Sequence, residues 1–260
     1  MKDFDYKKSL GQNFLKDDNI IDKIVNSSNI DSDTLVIEIG PGAGALSKKT
    51  IPLSGYTILY EIDTRLKEIL ENVLSGNNNY KIIFNDVLKQ NIKEDIKEFN
   101  YKNIYVVANL PYYITTPIIS KVIDEICPDK IVIMIQEEVA DRLCALVGSK
   151  DYAMITVALG SQYDIKKLFR VSRNCFIPAP NVDSAVICLD KHNKYDIKNK
   201  EVFDRLIKDA FRFKRKNLRN NLKGYDLELI EEILEANHFS LCDRAEVIPI
   251  SLFVDIANNL

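Results

Sequence analysis

Four stretches of the chain share one pattern, a short apolar run rich in β-branched residues that halts at a glycine or a polar side chain. Thr34 to Gly40 reads Thr-Leu-Val-Ile-Glu-Ile-Gly, and Tyr56 to Ile62 closes on Glu61-Ile62 before Asp63. Lys81 to Asp86 reads Lys-Ile-Ile-Phe-Asn-Asp, and Val106 to Asn109 reads Val-Val-Ala-Asn before Leu110 and Pro111. Runs of this length and content are buried strands, and helix-compatible segments separate them. The pattern predicts an open α/β sheet whose strand ends place Gly40, Glu61, Asp86 and Asn109 along one edge. Open α/β folds bind their ligands there.

The turn after the first run, Pro41-Gly42-Ala43-Gly44, lets the backbone approach a ligand closely at Gly40 and Gly42. Glu61 follows Gly42 by 19 positions, the distance at which an acid meets ribose hydroxyls in nucleotide-binding βαβ units. The glycine spacing departs from Gly-x-Gly-x-x-Gly, whose helix start receives a pyrophosphate. A ligand with adenosine but no phosphate fits better, and S-adenosylmethionine is the candidate. Asp86 is placed to accept the amino group of the cofactor's adenine, or it only forms a turn.

The fourth run leads into Asn109-Leu110-Pro111-Tyr112-Tyr113-Ile114-Thr115-Thr116-Pro117. An exocyclic amino group on adenine is a poor nucleophile, because its lone pair is delocalised into the ring. The Asn109 side-chain oxygen and the Leu110 carbonyl, held in a fixed turn by Pro111, are two neutral acceptors for its two hydrogens. Tyr112 offers a flat face for the base, and Phe176, just before Pro178 and Pro180, a second wall. The plain alternatives are an Asn-capped turn, packed tyrosines and a core phenylalanine. The expected chemistry is direct attack on an activated methyl, with no metal and no covalent intermediate.

The N-terminal segment Lys7-Lys8-Ser9-Leu10-Gly11-Gln12-Asn13-Phe14-Leu15 precedes an amphipathic helix starting near Asp17 or Asp18, with Ile20, Ile21, Ile24 and Val25 on one face. Gln12-Asn13-Phe14 either closes over a ligand or packs on the sheet, and spacing does not choose. A helix through Ile118, Ile119, Val122 and Ile123 should follow Pro117, then a strand from Lys130 to Gln136. A proline-rigid loop leads to a strand near Ser184 to Leu189, and Asp190 to Lys200 reads as a linker into a helical region.

Composition bears on partners. The formal net charge is −3, so any nucleic-acid surface must come from local clustering. Between Arg205 and Lys223 lie eight basic residues, among them Arg212, Lys214, Arg215, Lys216 and Arg219, against the single acid Asp209. A basic helical patch interleaved with Phe211 and Phe213 suits a phosphate backbone, and a solvated helix is the competing account. No run approaches the roughly 18 apolar residues of a membrane span, and Met1 to Asp5 lacks a signal peptide's apolar core, so a cytoplasmic protein is expected. The five cysteines are widely spaced, and the two histidines, His192 and His238, give no metal-ligand spacing. The cysteines read as small buried hydrophobes.

In order along nearly the whole chain, these motifs resemble the small-subunit (16S) rRNA adenine N6,N6-dimethyltransferases, the KsgA-type family. The resemblance rests on Gly11-Gln12-Asn13-Phe14-Leu15, Glu38-Ile39-Gly40-Pro41-Gly42-Ala43-Gly44, Glu61-Ile62-Asp63, Asn85-Asp86-Val87-Leu88 and Asn109-Leu110-Pro111-Tyr112 with Thr115-Thr116-Pro117. It also rests on Phe176 to Ser184, Lys214-Arg215-Lys216 and Arg244-Ala245-Glu246. It implies a Rossmann-like, seven-stranded S-adenosylmethionine-dependent methyltransferase domain over residues 1–190, and a small all-helical RNA-binding domain over 191–260. Cofactor contacts are implied at Asn13, Leu15, Gly40, Glu61, Asp86 and Asn109. The implied reaction dimethylates two adjacent adenosines near the 3′ end of 16S rRNA, two donors per base, in an immature 30S particle. A monomer is expected. Related alternatives are a large-subunit (23S) rRNA adenine methyltransferase of the macrolide-resistance type, a glutamine-amide methyltransferase, and a non-catalytic assembly factor. The small-subunit group is favoured by Leu110 and Thr115-Thr116-Pro117. Position 217 is Asn where that family more often has Thr.

Overall fold

The computed structural model describes residues 12–260; the arm's residues 7–11 lie outside them. Nine strands are present in the described chain: β1 (Phe14–Leu15), β2 (Thr34–Ile39), β3 (Tyr56–Glu61), β4 (Tyr80–Phe84), β5 (Asn103–Asn109), β6 (Lys130–Gln136), β7 (Tyr163–Val171), β8 (Phe176–Ile177) and β9 (Ser184–Lys191). Seven of them form one sheet in the order β4-β3-β2-β5-β6-β9-β7. β2 pairs in parallel with β3 and β5, β3 with β4, and β5 with β6, while β9 runs antiparallel to β6. Every residue of β2 is buried, as expected of a central strand covered on both faces.

The helix Asp18–Ser28 starts where Asp17 accepts hydrogen bonds from the backbone N–H of Asn19 and Ile20, and stops where Asn29 turns left-handed. Ile21, Ile24 and Val25 are buried, joining β-strand side chains such as Val36, Val107 and Val132 in one core. The next predicted helix begins earlier than expected, at Thr115, and runs to Ile126. Pro117 therefore sits in the first turn, where a missing N–H costs no internal hydrogen bond.

β7 was not expected. It is an edge strand whose middle residues Lys166, Lys167 and Leu168 are exposed, so it lacks the buried run that marks the other strands. Charge on an edge discourages pairing with other chains.

The described chain divides into two compact units. One holds the residues up to Ala140 with Lys166–Asp190; the other holds Asp141–Ile165 with Lys191–Leu260. The second unit resumes at Lys191, and Asp141–Ile165 groups with it. The reason is packing: Tyr152 and Val157 are buried in a cluster with Phe203, Leu206, Ile230 and Phe253. That cluster is held by helices Met154–Gly160, Lys200–Ala210, Leu227–Glu235 and Ile250–Asn259.

The basic stretch is not one helix. The helix Lys200–Ala210 ends at Phe211, Arg212 to Lys216 form a turn, and Leu218–Asn221 makes a further short helix. Asn217 caps that short helix by accepting from the Asn220 N–H (3.1 Å). Thr is also a competent cap, so Asn at this position keeps the turn's geometry. None of the five cysteines forms a disulfide, and Cys188 alone of them is buried. No helix among the described residues is long and apolar enough to cross a membrane.

Candidate active site

The carboxyl ends of β2, β3, β4 and β5 open on a cavity of about 410 Å³ in the first unit, lined by Gly40, Glu61, Asp86 and Asn109 among others. Its size lies within the range of about 300 to 1,000 Å³ usual for small-molecule sites. Gly40, Gly42 and Gly44 have φ of +71°, +58° and +78°, a left-handed path that side chains disfavour. A Cβ on Gly42 would stand 2.5 Å from Cε1 of Phe14. The turn is thus held tight against the N-terminal arm.

Glu61 is 5% exposed. Its two oxygens accept from the Gly42 N–H (3.0 Å) and the Asp63 N–H (2.9 Å). Burial pushes its carboxyl above the usual range, and these backbone donors pull against that shift. A carboxylate has about four lone-pair sites, so acceptor capacity remains for a ribose diol. Asp86 is half-buried and accepts the Leu88 N–H at Oδ1 (3.0 Å), so it does form a turn while lining the cavity.

The arm both closes over the cavity and packs. β1 pairs antiparallel with β8, Phe14 opposite Ile177 and Leu15 opposite Phe176. Gln12 Nε2 donates to Asp63 Oδ2 (2.8 Å), and the Asn109 side-chain NH2 donates to the Asn13 carbonyl (3.2 Å). The Arg65 guanidinium beside Asp63 holds that carboxyl down to about 2.

The bond to Asn13 fixes the orientation of the Asn109 amide. Its nitrogen faces the arm, and among the described residues nothing donates to Oδ1. Leu110 donates its N–H to the Met134 carbonyl (3.1 Å), and Thr115 Oγ1 donates to the Pro111 carbonyl (3.1 Å), which pins the turn from both sides. Tyr112 and Ser184 share a hydrogen bond between their hydroxyls (2.5 Å). Ser184 is fully buried, so the Tyr112 ring is tethered at its outer end. Asp183 stiffens the same loop, accepting the Arg173 N–H (3.0 Å) and Nε (3.1 Å) and pairing with Arg170 Nη2 (2.6 Å). The Arg173 backbone and side chain lower its carboxyl.

Phe176 does not line the cavity. It is 2% exposed and belongs to the core with Leu15, Val171 and Val186; its neighbour Ile177 lines the cavity instead. Asn13, Leu15, Gly40, Gly42, Glu61, Asp86, Asn109, Leu110, Pro111 and Tyr112 all line one cavity. In the second unit, Arg212, Lys214, Arg215, Lys216 and Arg219 are exposed. Arg219 pairs with Glu231 (3.2 Å), whereas no carboxylate of the described residues pairs with Lys214, Arg215 or Lys216.

Ser184, Gln12 with Asp63, and Glu38 are functional candidates that spacing did not single out. Glu38 left one signal, a lone acid inside a strand that is otherwise uncharged and buried throughout. It lines the cavity, is 2% exposed, and its Oε2 has no hydrogen-bond partner among the described residues. Burial pushes its carboxyl up from 4.5 to about 8, the charge of Glu61 adding to the rise and the nearby Ser47 hydroxyl opposing it.

The folded chain therefore holds a proton that the unfolded chain releases near 4.5, and stability falls as pH rises from about 4.5 through about 8. Below that window the two states are equally protonated and the effect vanishes. A Glu38→Gln protein should lose less stability between pH 5 and pH 8 than the parent, by a few kcal/mol at about 1.4 kcal/mol per tenfold change in proton affinity. Denaturant titrations at the two pH values measure it, and parallel losses in both proteins would contradict the assignment.

A family model described as Ribosomal RNA adenine dimethylase matches residues 3–259. The Ribosomal RNA small subunit methyltransferase A of Geobacillus thermodenitrificans is 42% identical, over 99% of this chain and 92% of its own length. The protein of that name from Clostridioides difficile is 40% identical, over 98% and 91%. Among solved structures, a dimethyladenosine transferase from Plasmodium falciparum superposes with a TM-score of 0.77 at 27% identity, covering 94% of this chain and 95% of that one. The 23S rRNA methyltransferase ErmE shares the fold at a TM-score of 0.76 and 23% identity, with 95% and 99% covered. The chain belongs to the ribosomal RNA adenine dimethylase family.

Proposed function

We propose that this protein dimethylates the N6 amino groups of two adjacent adenosines near the 3′ end of 16S rRNA, with S-adenosylmethionine as donor. The observation that carries the reading is the Asn109 amide, whose nitrogen is engaged by Asn13 so that Oδ1 remains an acceptor beside the Leu110 carbonyl at the cavity's edge. The cavity residues fit an adenosyl ligand: an acid with spare lone pairs for a ribose, a half-buried acid for an adenine amino group, and a glycine turn without phosphate-binding spacing.

When bound, S-adenosylmethionine supplies a sulfonium methyl that is already activated. The chain has only to position the amine and shape its lone pair. Asn109 Oδ1 and the Leu110 carbonyl accept the two amino hydrogens, which favours a tetrahedral nitrogen. Tyr112, tethered by Ser184, supports the extruded base. The arm over the Gly42 turn keeps water from the donor site.

Arg212, Lys214, Arg215 and Lys216 would hold the RNA backbone, with Arg219 a weaker contributor because of its ion pair. The substrate we favour is an immature 30S particle, the working form a monomer, and the location the cytoplasm. The relatives' small-subunit names favour 16S over 23S rRNA. Incubation of immature small and large subunits with labelled donor tests this. Label should appear only in the small subunit, at two adjacent adenosines, and label confined to large-subunit RNA would overturn the assignment.

A further inference from the structure

The turn Arg212–Lys216 presents more than charge. Phe213 is 55% exposed, and the Arg212 guanidinium carbon stands 5.3 Å from its ring centroid. Phe211, two residues earlier, goes the other way. Its ring packs against Tyr152 and Phe253 at centroid distances of 6.0 and 5.8 Å. One aromatic therefore serves the core, while the next stands in solvent between two cations.

The neighbouring surface has the same character. Lys214 Nζ donates to the Lys150 carbonyl (2.6 Å), which fastens the Leu146–Lys150 turn beside it. Leu146 there is 78% exposed. An exposed ring flanked by cations matches the chemistry of unpaired nucleic acid: bases stack on the aromatic face, and phosphates meet the lysines and arginines. A duplex keeps its base faces stacked inside and has none to offer.

We propose that Phe213 is a stacking platform for an unpaired base of the bound RNA, with Lys214, Arg215 and Lys216 on the adjoining phosphates. This rests on the ribosomal RNA reading above and adds the form of RNA that the second unit grips.

The test measures binding of the full-length protein to a short fluorescent single-stranded oligoribonucleotide and to its duplex, over a series of salt concentrations. Phe213→Ala should weaken single-strand binding about 5- to 100-fold with the salt slope and the duplex affinity unchanged. Phe213→Tyr should restore it. Lys214→Ala with Arg215→Ala should instead flatten the single-strand salt slope by about 1.4. Unchanged single-strand affinity in Phe213→Ala, or an equal loss on the duplex, overturns the proposal. So does a defect seen only on particles carrying ribosomal proteins, which would assign Phe213 to a protein partner. If the parent binds neither RNA and methylates no ribosomal particle, it is the ribosomal RNA reading that fails.

Discussion

Replacing Asn109 by alanine is expected to slow methyl transfer by about 100- to 1,000-fold, the usual consequence of removing one preorganised group that acts on charge developing in the reaction. RNA affinity should stay within about twofold, since the exposed cations of the second unit are untouched. The amide is half of the acceptor pair, and its Nδ2 also holds the Asn13 carbonyl at 3.2 Å. Asn109→Ala therefore loosens one tie to the arm as well. Single-turnover rates at saturating donor, with donor affinity measured separately by calorimetry, divide the two effects. Unchanged transfer would remove Asn109 from the chemistry and would suit a factor that binds the subunit without modifying it.

The second large effect is expected at Glu61. Glu61→Ala should weaken S-adenosylmethionine binding by at least about 100-fold, because hydrogen bonds to a charged group contribute about 1.5 to 3 kcal/mol each and two are lost. The substitution also deprives the Gly42 and Asp63 N–H groups of their acceptor, so the glycine turn loses its staple. Glu61→Gln keeps one acceptor oxygen and should fall between, near a tenfold loss. Calorimetric titration of donor into each variant reads this directly. A dissociation constant equal to the parent's in Glu61→Ala would mean that the ribose sits elsewhere.

Much of the first unit was legible because its central strands are buried on both faces and announce themselves as uninterrupted apolar runs. Their ends were legible too, since Gly40, Glu61, Asp86 and Asn109 break those runs at one edge. β7 was not, because an edge strand carrying Lys166 and Lys167 has no buried run to show. The arm could not be placed by spacing, as its partners Phe176 and Ile177 are far away in the chain and the pairing is only two residues long. Phe176 was left between wall and core for a related reason: its proline neighbours suggest an open loop, whereas its strand pairs with β1 and its ring is buried. Nor does any local pattern mark Ser184 as the tether of Tyr112, a bond between positions 72 residues apart. The basic stretch was legible as charge but not as shape, since its helix stops at Ala210 and the cations ride on a turn.

The strap formed by β1 and β8 has a further implication for biosynthesis. A chain emerging from the ribosome that has reached β6 already carries the arm's ties to Asp63 and Asn109, but the β1–β8 pairing waits until Ile177 appears. The strap is therefore completed only once synthesis has passed residue 177 of 260, well after the sheet edge it borders.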